Sequence, residues 1–179
     1  MKKTAVLLLV CGTVLCTAMG CKSGGKTLSG VKASYQDGSS CDEAVKEYFG
    51  AMYTRGGGEI FYDYMFPDEA VEAMKTAGKY DKMVSNYNKS QEKSLKKDDA
   101  EYSFGKVTSS KELTDEQKDT VRRYFVTVSA PYAALDAEKL EIKEGYELTF
   151  DYTKDGKKAA EKTVLAVRLN DEGWKVITQ

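Results

Sequence analysis

The chain has 179 residues, with 27 basic and 28 acidic side chains and a formal net charge of −1, so it lacks the basic surplus that marks nucleic-acid binding. It contains no histidine, which excludes Ser-His-Asp and Cys-His hydrolases and zinc sites built on imidazole. Its 41% hydrophobic content, with 12 Tyr, 6 Phe and 1 Trp, is enough for one well-filled core.

Met1-Lys2-Lys3 is a short basic start, and Ala5 to Gly20 carries no charge around the apolar core Val6-Leu7-Leu8-Leu9-Val10. This is the layout of a cleaved export signal. The uncharged run of 16 residues is shorter than the ~18–20 of a membrane-spanning helix. Small residues Ala18 and Gly20 stand just before Cys21. Ala18-Met19-Gly20-Cys21 resembles the lipobox of bacterial lipoproteins. The resemblance implies cleavage after Gly20 and a thioether-linked diacylglycerol on Cys21, which would hold the chain on the outer side of a bacterial cell membrane. Cys16 is a poorer fit because bulky Leu15 precedes it.

Cleavage there leaves 159 residues with 25 basic and 28 acidic side chains, since only Lys2 and Lys3 are lost. It also removes Cys11 and Cys16 and commits the sulfur of Cys21, so Cys41 has no partner for an internal disulfide. Without a histidine base, Cys41 is a poor nucleophile. Gly20-Cys21-Lys22-Ser23-Gly24-Gly25-Lys26-Thr27 matches a phosphate-loop pattern. The residues that follow, Leu28 to Ser34, make a poor helix, and the pattern needs a strand before it and a helix after it. No nucleotide site is read. Lys22 to Ser39 is rich in Gly, Ser and Lys and is expected to be a tether, spanning roughly 25 Å as a flexible coil. Its Lys22, Lys26 and Lys32 precede the first acid, Asp37, and are placed to meet anionic headgroups.

A single domain is expected over residues 40–179. Ser40-Cys41-Asp42-Glu43 is a capping box, and Val45, Tyr48, Phe49, Met52 and Tyr53 recur at helical spacing behind it. Gly56-Gly57-Gly58 stops that helix. Glu59 to Phe66 is densely aromatic and suggests a short helical turn. Pro67 followed by Asp68 and Glu69 opens a second helix, which Gly78 ends. A third is expected from Tyr80, with a stripe of Met83, Val84, Tyr87 and Leu95 and a Lys- and Asn-rich outer face.

Glu101 to Thr108 is expected to be a strand with a bulge at Gly105. Thr114-Asp115-Glu116-Gln117 is a second capping box, opening a helix that closes by Pro131. Beyond it, Tyr146, Leu148, Phe150 and Tyr152 alternate with polar residues, and Asp155-Gly156 signals a tight hairpin. Thr163 to Leu169 returns, Asn170 to Gly173 turns, and Trp174 to Thr178 ends a three-stranded antiparallel meander. Arg168 is expected to point away from Leu165 and Leu169. Asp151 to Lys162 fits a calcium loop poorly, because the third ligand position is not acidic and Lys162 stands where the closing Glu belongs. No metal site and no cofactor are read.

The fold class is α+β, with N-terminal helices packed on a curved antiparallel sheet. Val45 to Met52 in the first helix and Asp171-Glu172-Gly173-Trp174-Lys175-Val176 at the last turn carry a resemblance over residues 40–179. The order resembles the cystatin-like cone of the nuclear-transport-factor-two-like superfamily, which includes SnoaL-like proteins and bacterial lipoproteins. The helix at 114–130 departs from that pattern and leaves strand pairing open. The resemblance implies a pocket between sheet and helices with Tyr48, Met52, Phe61, Tyr64, Tyr146, Phe150 and Trp174 in its wall; the alternative is that these residues are core. It also implies isomerase or dehydratase chemistry in some members, for which Asp63, between Tyr62 and Tyr64, is the weak candidate. Three functions stand open: a non-catalytic binding domain for a small amphipathic ligand or an envelope protein, an enzyme in a cone-shaped pocket, and a structural envelope accessory.

Overall fold

The computed structural model describes residues 40–178. The export signal, the lipid site Cys21 and the tether assigned to residues 1–39 lie outside the described residues. The domain begins where the first capping box does. The Ser40 hydroxyl accepts from the Glu43 amide at 3.3 Å, and the Glu43 carboxylate accepts from the Ser40 amide at 3.0 Å. That reciprocal pair opens α1 (Cys41–Tyr53). The glycine run then makes a sharp turn into α2 (Gly58–Met65). Gly56 has φ of 81°, and a Cβ on Gly57 would stand 2.2 Å from the Ala51 carbonyl oxygen, so both positions require glycine.

Two more helices follow, α3 (Asp68–Thr76) and α4 (Tyr80–Asp98). Pro67 sits at the cap of α3, one position before the helix it was expected to begin. Gly78 ends α3 with φ of 64°, and Lys79 donates its amide back to the Met74 carbonyl at 2.9 Å. The strand β1 (Tyr102–Glu112) comes next, then α5 (Asp115–Ser129), opened by the Thr114–Gln117 capping box. After a short 3-10 turn at Ala137–Lys139 come β2 (Ile142–Lys154), β3 (Lys157–Leu169) and β4 (Gly173–Thr178).

The four strands form one antiparallel sheet in the order β1-β2-β3-β4. The Asp155-Gly156 hairpin has φ of 53° and 72° at its two central residues, the geometry that matches strand twist. The register of β1 against β2 shifts between Phe104 and Val107. There the Asp151 carboxylate accepts from the Lys106 amide at 2.8 Å, so the bulge expected at Gly105 is present. Three strands are longer than expected: β1 runs on to Glu112, β2 starts at Ile142, before Tyr146, and β3 starts at Lys157.

Alternation sends the sheet's side chains into two separate cores. Leu148, Phe150, Val164, Ala166, Trp174 and Val176 pack with α1 and α2. Leu165, Val167, Leu169 and Ile177 face the other way and pack with Leu113 and with Val121 and Phe125 of α5. The helix that left strand pairing open in the sequence therefore covers the sheet's second face and does not interrupt the pairing of β1 with β2. A third cluster joins Phe66, Ala70, Val71 and Met74 to Tyr80 and Val84 of α4, with Tyr132 beyond α5 packed against it.

One cation is enclosed where these layers meet. The Lys175 side chain on β4 has 0% exposure. Its ammonium donates to the Asp63 carbonyl at 3.1 Å and to the Asp68 carboxylate at 2.7 Å, with Glu172 at 3.7 Å. Glu172 in turn accepts from the Asp68 amide at 2.9 Å, which caps α3. The carboxylates remain partly in water while the ammonium does not, so the attraction is screened less than in a surface bridge and is set against the cost of desolvating the ammonium. Lys175→Ala is expected to lower the unfolding free energy by about 2–4 kcal/mol, from lost packing and hydrogen bonds. Lys175→Met, which keeps the volume, is expected to lower it by less; urea unfolding of the two variants checks the order.

Candidate functional site

The seven residues expected to wall a pocket do come together. α1 places Tyr48 and Met52, α2 places Phe61 and Tyr64, and the facing strands supply Tyr146, Phe150 and Trp174, all in or against one cluster. Tyr48 is 2% exposed and Phe150 1%. The rings pack on one another between the layers. Tyr48 stacks on Phe61 at 5.4 Å, Phe61 on Tyr87 at 4.4 Å, and Tyr48 meets Tyr64 edge-on at 6.3 Å.

Two phenol groups in this region, Tyr48 and Tyr64, are shifted toward their neutral form. Burial pushes the Tyr48 hydroxyl well above the usual tyrosine range, and a hydrogen bond to Thr178 only partly offsets it. Burial raises Tyr64 too, reinforced by its 2.7 Å hydrogen bond to Glu47. Such phenols act as hydrogen-bond donors and not as acids near neutral pH.

Asp63 points away from the aromatic cluster. Its carboxylate accepts from the Tyr80 hydroxyl at 2.8 Å, while its carbonyl accepts from Lys175. Burial, and then the Asp63 carboxylate, drive the Tyr80 hydroxyl upward. Asp63 thus links β4 to α4 through α2. Arg168 is half-exposed and faces Glu144 at 3.4 Å, on the same side of the sheet as Trp174.

Two groupings were not anticipated from the sequence. Lys162 on β3 donates to the Tyr53 hydroxyl at 2.9 Å and lies 5.3 Å from that ring, 5.6 Å from Tyr152 and 6.0 Å from Phe49. Tyr102 stacks on Tyr53 at 4.3 Å and donates to Asp98, which Lys154 holds at 2.7 Å. Strand pairing together with the packing of α1 and α4 on the sheet brings these residues together, so no local spacing foretells them. The second is an open cleft of about 420 Å³ between the glycine turn and α4, lined by Arg55 and Lys89 together with Glu59, Asp81 and Glu92. Asn88 at its floor accepts from the Gly58 amide at 2.8 Å. None of the seven pocket candidates lines this cleft.

Among the described residues there is no cluster of His, Cys, Asp and Glu that could hold a metal ion, and no helix is long and apolar enough to cross a membrane. Comparison with protein-family models, with curated proteins and with solved structures gives no match.

Cys41, on the first turn of α1, has a free thiol. Burial, with Asp42 and Glu144 nearby, pushes it from 9.0 up to about 12. A neutral thiol favoured by the fold adds stability that is complete below about pH 9 and is lost as pH rises toward 12. Alkylation of Cys41 at pH 8 in a Cys21→Ala chain starting at residue 21 is therefore expected to run on the order of a hundredfold slower folded than in denaturant. Equal rates would mean that the thiol is not shielded.

Proposed function

We propose that the protein is an exported lipoprotein, anchored to the outer side of a bacterial cell membrane through lipid on Cys21. Its domain from residue 40 is a non-catalytic binding module of the nuclear-transport-factor-two-like, cystatin-like-cone type. The anchor rests on Ala18-Met19-Gly20-Cys21 behind the apolar run. The cone rests on helices α1 and α2 lying against one face of an antiparallel meander that ends in Gly173-Trp174-Lys175-Val176. The cover that α5 provides on the second face goes beyond a simple cone.

The observation that carries the non-catalytic reading is the state of the aromatic cluster. Its rings pack on each other, its phenols are held protonated, and Asp63 is bound to Tyr80 and to the Lys175 clip. An isomerase or dehydratase needs a carboxylate and a phenol facing one substrate, and here Asp63 is bound to Tyr80 outside the cluster that holds Tyr48 and Tyr64. With the interior occupied by its own rings, binding falls to the surface, and an envelope partner fits better than a small amphipathic ligand inside the cone.

The anchor is tested by fractionating cells that express the native chain or Cys21→Ala. The native chain is expected to sediment with membranes, and to move to the detergent phase on Triton X-114 partition. Sedimentation and partition unchanged in Cys21→Ala would refute the lipid anchor. The binding role is tested by co-purification from membranes with the lipid intact.

A further inference from the structure

The outer face of α4 carries an unusual distribution of charge. Lys82, Lys89, Lys93, Lys96 and Lys97 are all exposed, as are Ser85, Asn86 and Ser90 between them. At 100° per residue these eight positions fall within less than half of the helix circumference. Val84 and Gln91 are buried on the opposite side, against the rest of the domain. From Lys82 to Lys97 the stripe runs about 22 Å along the helix. No acidic residue lies inside it. Asp81 and Glu92 stand at its flank, and among the described residues Lys96 alone of the five lysines has a carboxylate partner, Glu92 at 2.7 Å.

The surroundings make the stripe stand out. α4 has five lysines and three acids, whereas the remainder of residues 40–179 has 17 basic and 24 acidic side chains. A domain with a net negative charge has gathered its densest positive run on one outward helix face.

Helix energetics do not account for that placement. Lys96 and Lys97 in the last turn do suit the negative end of the helix dipole. Lys82 lies in the first turn, where the dipole disfavours a cation. Lys89, Lys93 and Lys97 follow one another at i, i+4 spacing, where like charges weaken a helix. The arrangement works against α4 as an isolated element, which is the mark of a surface shaped for a partner.

We propose that this face of α4 docks on anionic lipid headgroups, turning the helical layer toward the bilayer and leaving α5 on the opposite side of the sheet outward. The choice of a lipid surface over other polyanions rests on the proposed anchor on Cys21, whose 18-residue tether keeps the domain within tens of ångströms of the headgroups. Charges more than about 10 Å from the surface are screened at physiological salt, so among the domain's acids it is those beside the stripe, such as Glu59, Asp81 and Glu92, that weigh against docking. Phosphate esters at the bilayer surface supply a continuous plane of negative charge, which matches a linear stripe. Each lysine brought to such a surface adds attraction independently of its neighbours' exact geometry.

The experiment uses the chain from residue 21 carrying Cys21→Ala, so that no lipid is attached and the outcome does not depend on the anchor. Its partition onto vesicles of phosphatidylcholine with 30% phosphatidylglycerol (a composition of about one anionic lipid in three) is measured by co-sedimentation against pure phosphatidylcholine. Binding is expected only to the anionic vesicles, falling steeply with salt. K82Q/K89Q/K93Q/K97Q is expected to weaken it by about 10- to 100-fold, and the matching Lys→Arg variant to retain it. K106Q/K118Q/K139Q/K157Q changes net charge equally on other surfaces and is expected to weaken binding by less than about threefold. Equal loss in both glutamine variants, or no loss in the α4 variant, would overturn the proposal. So would tighter binding to soluble polyphosphate than to the vesicle surface, which would assign the stripe to a polyanion. Thermal melts of the variants establish that each is folded at the assay temperature.

Discussion

The enclosed ammonium of Lys175 decides how the helical half of the molecule sits on its sheet. β4 is an edge strand with neighbours in both cores, so its position is set by packing on two sides at once. Lys175 adds direction. By donating to the Asp63 carbonyl it fixes the last turn of α2, and by meeting Asp68 it fixes the start of α3. The Phe66-Pro67 corner between them is thus held from both ends. Asp63 passes the constraint on, because its carboxylate receives the Tyr80 hydroxyl at the start of α4. One cation therefore aligns three helices, and the face that α4 turns outward is set through the same chain of contacts. The Cys41 thiol is free, and it is this buried polar node that ties α2, α3 and α4 to the sheet.

What was legible in the sequence was what short-range chemistry controls. The two capping boxes, the Asp155-Gly156 turn and the glycine stops are formed by residues within a few positions of each other, and each appears where it was expected. The strand ends were harder. Ser109 to Glu112 and Lys157 to Glu161 are exposed and carry no large apolar side chain, so no apolar alternation marks them, and they are strands because β2 supplies their hydrogen bonds. The placement of α5 was present as an unread signal. Val164 and Ala166 are apolar on one face of β3, and Leu165, Val167 and Leu169 on the other. A strand apolar on both faces requires two covering layers, and the N-terminal helices can provide only one.

The candidate site shows the same division. The seven aromatic and apolar residues were grouped correctly, because each lies on the inward stripe of its own element. Whether they enclose space or fill it depends on ring angles that spacing does not encode. Asp63 was noticed for its aromatic neighbours in sequence, yet helical geometry turns it toward Tyr80 on α4 and away from Tyr48. Lys175 was invisible for the opposite reason. In a Trp-Lys-Val-Ile strand a lysine reads as solvent-facing, and only the α2–α3 corner, far away in sequence, encloses it.

The charge on α4 and the residues before the domain bear on one physical problem. A lipid on Cys21, as proposed, would limit the distance between domain and membrane but would not by itself set the domain's orientation. Orientation has to come from the folded surface. A tethered domain meets the bilayer at a high effective concentration, so a contact too weak to hold a free protein is strong enough to bias how a tethered one lies. Such a contact has to be broad, tolerant of lipid motion and composed of many small attractions. A row of lysines on the outermost helix has those properties, whereas a shaped pocket has none of them. The local strain that the row imposes on α4 is tolerable because that helix does not stand alone: Tyr80 and Val84 are packed into the third cluster, and Gln91 donates to the Ala51 carbonyl at 2.6 Å. Tertiary contacts on the inner face thus allow an outer face whose charges would weaken the helix by itself.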